Sequence, residues 1–481
     1  MAGIGFELRK IFKESSILSI TAGIGYSALI TVGPTIIVMA VLILLYMFLG
    51  ISSVTYYERE LLSTTILYIF IFSAIVTSGV NAIFSRFIAD KFFQEEYEDI
   101  LPSYYTGLLL LGLVATIIAI PFCYRLYVVG GVELTFVLGV YFLWISTIFL
   151  YFSMTYLHAT KDYRVITISF LIGMIFGALL SIILSYTKAV DTIHSILYGL
   201  TFGFFVISSL VSAYIHRYFS KAKSGFFKVL SYFVKYKEIF FSNLLYFLGL
   251  YIHNFVFWAL LGNNKVAATM ISMGPYDMAS CLALFTNIST VMIFTVMAET
   301  EFHDRYQNYM ESVIGSTHRE INKNKKKMFR AMKQQIVHVF TLQSIITVFL
   351  FLLFRTFLPR LGFGGLTMEI YSSLAASYLV IFITYCLIIY LFYYDDMKGA
   401  VSVSLVFCLF IFIGALWSAR LSPSLYGAGT FIGALISWSV GYYRLRYLEK
   451  HFEQHIFMNQ KLIASKKGKV IANLVYEKSG E

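Results

Sequence analysis

Runs of about twenty or more almost wholly apolar residues recur from position 26 to position 443, and each is long enough to cross a hydrocarbon core of about 30 Å as a helix. A chain in that medium must satisfy its own amides and carbonyls, which leaves helices or a closed barrel. The runs far exceed the alternating strands of an outer-membrane barrel, so helices are expected. We place twelve spans, at 26–50, 61–84, 104–122, 134–157, 165–186, 193–215, 239–261, 270–297, 336–354, 370–393, 399–417 and 426–443. With 59% hydrophobic and 13% charged residues among 481, no large soluble domain is left over. The opening MAGIGFELRKIFKESS is basic and partly apolar. It reads as an interfacial segment rather than a signal peptide, because the following run is too long and no small-residue cleavage site ends it.

The net charge of +11 invites a nucleic-acid reading, but its distribution follows membrane topology instead. Of the 37 Lys and Arg, 30 fall on the side of the two termini and 7 on the other. Cytoplasmic loops carry such an excess, so both termini are expected in the cytoplasm of a cell inner-membrane protein. The spans divide as six and six around a basic linker. The expected organisation is a six-helix bundle over 1–216, a linker over 217–237, a second bundle over 238–447 and a cytoplasmic tail over 448–481. Six is even, so both halves enter from the same side, as parallel repeats do.

In the loop after the eighth span, Phe302, Tyr306, Tyr309, Met310 and Val313 recur at helical spacing. That predicts an amphipathic helix lying on the membrane or against a partner. Lys323, Lys325, Lys326, Lys327, Arg330 and Lys333 follow as a dense basic run. It suits anchoring on anionic lipid or docking of a cytoplasmic partner.

The chain carries no P-loop, HExxH, GxSxG or DxD sequence, which argues against an ATP-driven pump and gives no enzyme reading. Asp395-Asp396 reads as a helix boundary in a short turn. Cys123, Cys281, Cys386 and Cys408 lie in or beside apolar runs without metal-ligand spacing, so buried packing is expected for each, with no metal and no cofactor. The 36 tyrosines and 46 phenylalanines supply lipid-facing bulk and interfacial belts, or stacking surfaces for sugars.

Asp277 is the one carboxylate placed well inside an apolar span, within Gly274-Pro275-Tyr276-Asp277. A charge at that depth costs at least about 2.5–3.5 kcal/mol and usually faces a partner or a water-filled cavity. Two readings follow for the 270–297 span. Pro275 kinks it and Asp277 bonds a neighbouring helix, or the carboxylate lines a transport pathway. His253-Asn254 in the seventh span lies about 20 Å from the inner face, and Asp277 about 10 Å below the outer face, at ~1.5 Å per residue. The two therefore share a depth, which permits a proton or cation relay; a histidine satisfied by packing is the alternative. Gly33-Pro34 takes the corresponding place in the first half, as a broken helix or a simple kink. Gly173/Gly177, Gly199/Gly203 and Gly429/Gly433 each form GxxxG, which permits close helix crossing.

The stretches MAGIGFELRKIF, GIGYSALITVGP and GPYDMAS resemble PelG, the family of Pel exopolysaccharide inner-membrane exporters, which is similar in turn to the multidrug/oligosaccharidyl-lipid/polysaccharide flippase superfamily. The resemblance implies an all-α, MATE-like membrane protein of two six-helix bundles around a central cavity. It also implies export of an amino-sugar-rich polysaccharide made by a cytoplasmic glycosyltransferase, cooperation with other inner-membrane Pel components, and a part in biofilm formation. It assigns no catalytic residue. The residues read as substrate or ion pathway are Asp277, Tyr276, Pro275, His253, Asn254, Gly33 and Pro34. Two other classes remain open: a cation-coupled drug antiporter, and a non-transporting scaffold of a polysaccharide synthase.

Overall fold

The computed structural model describes residues 33–49, 54–160, 162–219, 225–262, 264–298, 302–361 and 364–459. The opening MAGIGFELRKIF and the end of the tail lie outside them. The long helices are α1 (Gly33–Phe48), α2 (Tyr56–Phe93), α3 (Ile100–Val128), α4 (Leu134–Thr160), α5 (Tyr163–Tyr186), α6 (Thr192–Tyr218) and α7 (Lys237–Leu261). They continue as α8 (Gly274–Asn287), α9 (Ser289–Met297), α10 (His303–Gly315), α11 (His318–Phe357), α12 (Gly365–Tyr393), α13 (Met397–Ser418) and α14 (Ala428–Asn459). Ten spans among the described residues are long and apolar enough to cross a membrane, against the twelve expected. The two not counted correspond to α1, described over only 16 residues, and to α14, whose apolar part is diluted by glycine, serine and tyrosine.

The expected 270–297 span is the main departure. Met270–Ser272 forms a strand, β2, paired antiparallel with β1 (Asn264–Val266), and the helix begins only at Gly274. Pro275 therefore sits in the first turn, where its missing N–H costs no helical bond, rather than at a kink. The interruption falls lower, at Ile288 between α8 and α9. Val266, Ala267 and Met270 of this hairpin pack into the apolar core of the first helices, although the flanking α7 and α8 belong largely to a second core.

α2 and α7 run antiparallel along a shared seam. Arg86 lies over the Tyr236 ring at 5.2 Å near one end. Gly79 leaves room for the Phe240 ring, which an added Cβ would meet at 2.7 Å. Phe72 stacks on Phe255 at 5.4 Å, and Tyr68 on Trp258 at 4.7 Å near the hairpin.

The last three long helices of each half pack alike. α6 lies against α4 and α5, and α14 against α12 and α13. Gly173 and Gly177 face Gly203 and Gly199 across the α5–α6 crossing, and Gly414 faces Gly429 across the α13–α14 crossing, as small residues allow. Asp162 precedes α5 and accepts from the Tyr214 hydroxyl of α6 at 2.9 Å. Asp396 caps α13, as expected of a helix boundary, and accepts from Gly399 N at 3.1 Å and from Arg444 of α14 at 2.6 and 3.0 Å.

The amphipathic face of α10 turns inward rather than towards a membrane or partner. Phe302 is buried on Tyr390 and Tyr394, and Tyr309 on Phe452, so the chain's own α12 and α14 supply the apolar surface. Of the basic run, Lys325 pairs with Glu453 at 3.2 Å and Lys333 with Glu449 at 2.8 Å. Cys386 and Cys408 are buried as expected and Cys123 is half-buried, but Cys281 is exposed on α8. In a bilayer an outward apolar side chain meets lipid, so an apolar run does not by itself enforce burial.

Candidate functional site

The Gly274 turn starts α8 and brings Asp277 into its first turn. The positive end of the helix favours an anion there, and the first amides lack helical acceptors. Asp277 Oδ2 accepts from the Met273 amide at 3.0 Å, satisfying one of them. Its other oxygen, Oδ1, accepts from two side chains of α7, Asn254 Nδ2 at 3.0 Å and Trp258 Nε1 at 2.7 Å. Asn254 and Trp258 are four residues apart and so share one helix face. The carboxylate is buried at 7% exposure, and its three donors are all neutral. No ion pair to it is found among the described residues, while Glu60 of α2 lies near enough to add a second negative charge to its surroundings. Three donors offset part of the cost of a buried charge but do not neutralise it.

His253 and Asp277 do lie in one buried cluster but do not touch. His253 Nδ1 meets the Tyr276 hydroxyl at 2.9 Å and Nε2 meets the Tyr378 hydroxyl of α12 at 3.2 Å. Tyr378 is 2.8 Å from Ser280 Oγ, which donates to Asn254 Oδ1 at 3.3 Å. A polar path thus runs from His253 through Tyr378, Ser280 and Asn254 to Asp277. The direct relay allowed by their common depth is replaced by this bridged one, because successive residues on α7 point His253 and Asn254 to different neighbours. Pro275 is half-buried beside the cluster, and its role is to start the helix. Gly33 and Pro34 are buried at the start of α1, which packs on α5, and they join no hydrogen bond of the cluster among the described residues.

Trp258, Ser280, Tyr378 and Tyr68 were not singled out in the sequence. Their signal was faint: Ser280 follows Asp277 by three residues on one helix face, and Trp258 follows Asn254 by four. Tyr68 connects the cluster to the first core. Its ring stacks on Trp258 with the planes 9° apart, and its hydroxyl binds the Ile271 amide at 3.0 Å and carbonyl at 2.8 Å.

A second polar cluster holds the α8–α9 interruption. Asn287 donates to the Ala283 and Ala375 carbonyls at 3.0 and 2.9 Å, and Thr347 donates to Asn287 Oδ1 at 2.8 Å. Gln343 donates to the Thr286 carbonyl at 3.0 Å and accepts from Ser289 at 2.8 Å. These bonds tie the two half-helices to α11 and α12.

A family model described as "PelG: Putative exopolysaccharide Exporter (EPS-E)" matches residues 1–457. Similar solved structures include the eukaryotic MATE transporter AtDTX14, at 12% identity and TM-score 0.56, over 87% of this chain and 93% of that one. A point mutant of the Vibrio cholerae MATE transporter VcmN matches at 13% identity and TM-score 0.54, over 92% and 98%. A MOP superfamily transporter from Pyrococcus furiosus, whose binding pocket has reversed polarity, matches at 13% and 0.54, over 88% and 96%. At these identities the likeness shows a MATE-like transporter fold. No curated protein matches the sequence.

Proposed function

The chain belongs to the PelG family of exopolysaccharide exporters, and from that membership we propose that it carries an amino-sugar-rich, Pel-type polysaccharide from the cytoplasm across the inner membrane for a biofilm matrix. The observation that carries this reading is the family match over almost the whole chain together with a MATE-like multi-pass fold. The proposed partners are the cytoplasmic glycosyltransferase that makes the polymer, other inner-membrane Pel components and anionic lipid. The proposed architecture is twelve helices in two six-helix bundles, over 1–216 and 238–447, around a central cavity. The 217–237 segment links them, and both termini, including the 448–481 tail, are cytoplasmic. The matching Gly crossings, and an Asp before α5 and before α13 that accepts from the helix after it, support two related halves. The 30 to 7 division of basic residues supports the orientation.

In this reading Asp277 belongs to the pathway, with Tyr276, His253 and Asn254 around it and Pro275 starting its helix. Gly33 and Pro34 take the corresponding place in the first half. A buried carboxylate held by neutral donors accepts a proton, a metal cation or an ammonium group of an amino sugar. That same feature favours a second reading, cation-coupled antiport of a small molecule. The β1–β2 hairpin is seated in the first core and bonded to Tyr68, and in this reading outward opening requires its release.

The test is secreted against cell-retained polysaccharide in a strain lacking the chain, complemented with wild type or Asp277→Asn at matched membrane levels. Export restored by wild type and lost in the variant is expected. Failure of wild type to change secretion would overturn the exporter reading. Normal secretion by the variant would remove Asp277 from the pathway.

A further inference from the structure

One face of α11 is exposed along nearly its whole length, and its chemistry changes abruptly. Val337, Ile345, Val348 and Leu352 are exposed apolar residues that continue, at helical spacing, the line of Arg319, Lys323, Lys326 and Arg330. The last four stand at i, i+4, i+7 and i+11, within an arc of about 60° at ~100° per residue. All four are exposed, and none has an ion-pair partner among the described residues, whereas Lys325 on the inward side and Lys333 beside the line pair with Glu453 and Glu449. The switch from cationic to apolar side chains on one uninterrupted helix locates the edge of the hydrocarbon near Val337.

Distances along the axis then separate two uses for these charges. At ~1.5 Å per residue, Arg330 stands about 10 Å from Val337, Lys326 about 16 Å, Lys323 about 21 Å and Arg319 about 27 Å. The headgroup layer adds only about 5–8 Å beyond the hydrocarbon, and the surface potential decays over about 8 Å at physiological salt. Cα–Cβ bonds tilt towards the helix N-terminus, here away from the membrane. Anionic lipid therefore accounts for Arg330 but not for Arg319 and Lys323, with Lys326 at the margin. This part of α11 is also held stiffly. Met328, Phe329 and Met332 are buried, Phe329 packs on Tyr394 and Phe452, and two ion pairs bind the helix to α14. The chain thus holds a rigid cationic ridge clear of the membrane.

Resting on the cytoplasmic orientation and export reading above, we propose that Arg319, Lys323 and Lys326 dock an acidic face of the cytoplasmic glycosyltransferase that supplies the polymer. The complementary element is a two- to three-turn helix or ridge of carboxylates. Its contacts set the mouth of the synthase beside the membrane entry, and the charge makes association salt-sensitive.

The test uses the full chain in nanodiscs of neutral lipid, with the purified glycosyltransferase of the same system as probe, at low and high salt. The Arg319→Glu/Lys323→Glu/Lys326→Glu variant is expected to weaken binding at least tenfold at low salt, and Arg330→Glu to weaken it much less. Wild-type binding should fall as salt rises. Unchanged affinity in the triple variant, or wild-type binding seen only when anionic lipid is added, would overturn the proposal. Secretion measured in parallel separates the two readings. A triple variant that secretes normally removes the docking role and leaves export standing, whereas wild type without effect on secretion removes export itself.

Discussion

The Tyr68 hydroxyl holds both backbone groups of Ile271, accepting from its amide at 3.0 Å and donating to its carbonyl at 2.8 Å. One side chain of α2 thus ties down the hairpin that precedes α8, and the same ring stacks on Trp258, a donor to Asp277. The closure between the two cores and the buried carboxylate share a set of contacts.

Tyr68→Phe keeps the stack and removes both hydrogen bonds, a loss of roughly 1–3 kcal/mol for two bonds of ordinary strength. The hairpin should release about tenfold more often, since 1.4 kcal/mol is a factor of ten. Thr65 is buried beneath it and bonds Met270. In a background lacking the native cysteines, an impermeant maleimide should label Thr65→Cys correspondingly faster when Tyr68 is Phe. Equal labelling rates would count against Tyr68 as the fastening.

The Thr65 hydroxyl and Met270 sulfur are 3.9 Å apart. Thr65→Cys combined with Met270→Cys, bridged by a short thiol-reactive linker, should fix the hairpin on the first core and stop export, with recovery on reduction. Continued export by the bridged protein would show that the hairpin stays in place throughout the cycle.

Trp258→Phe should cost about 1.5–3 kcal/mol, because the lost indole bond goes to a carboxylate. In detergent its melting temperature should fall by several degrees. Combined with Asp277→Ala, which removes the acceptor, the two losses should not add, because each removes the same bond. Additive effects would mean that Trp258 stabilises by stacking alone.

Gly429→Val tests the α13–α14 crossing. A Cβ at Gly429 would lie less than 2.5 Å from the backbone of Gly414, so the helices must part. Overpacking of this kind costs about 1–3 kcal/mol or more. The yield of folded protein in size-exclusion chromatography should drop sharply, while Gly364→Ala, with open space around it, should leave it unchanged.

What could be read from the chain followed from single dominant forces. Apolar length placed the helices, glycine spacing placed the close crossings, and depth arithmetic brought Asn254 and Asp277 into reach. What escaped was decided by competition between forces. Met270–Ser272 is apolar and merges with the run that follows, so length alone assigned it to a helix although it pairs as a strand. Trp258 and Tyr378 carry the polar cluster, yet in a chain so rich in aromatics they are indistinguishable from lipid-facing bulk. The inward face of α10 resembled a membrane-binding surface because periodicity reports an apolar partner without saying whether that partner is lipid or protein.

The hairpin turn is occupied by Ala267 and Ala268, with φ of 49° and 53°. Two consecutive left-handed residues are usually Asn-Gly, and an L side chain there costs about 1–2 kcal/mol apiece. The hairpin is therefore held under strain, and the cost of its turn is offset by the strand pairing and by the bonds that Tyr68 makes. Relaxing it with Ala268→Gly, at the exposed position of the two, should make a more stable protein and, on the proposed release of the hairpin, a slower exporter, because a latch works best when it is held only slightly more tightly than it is strained.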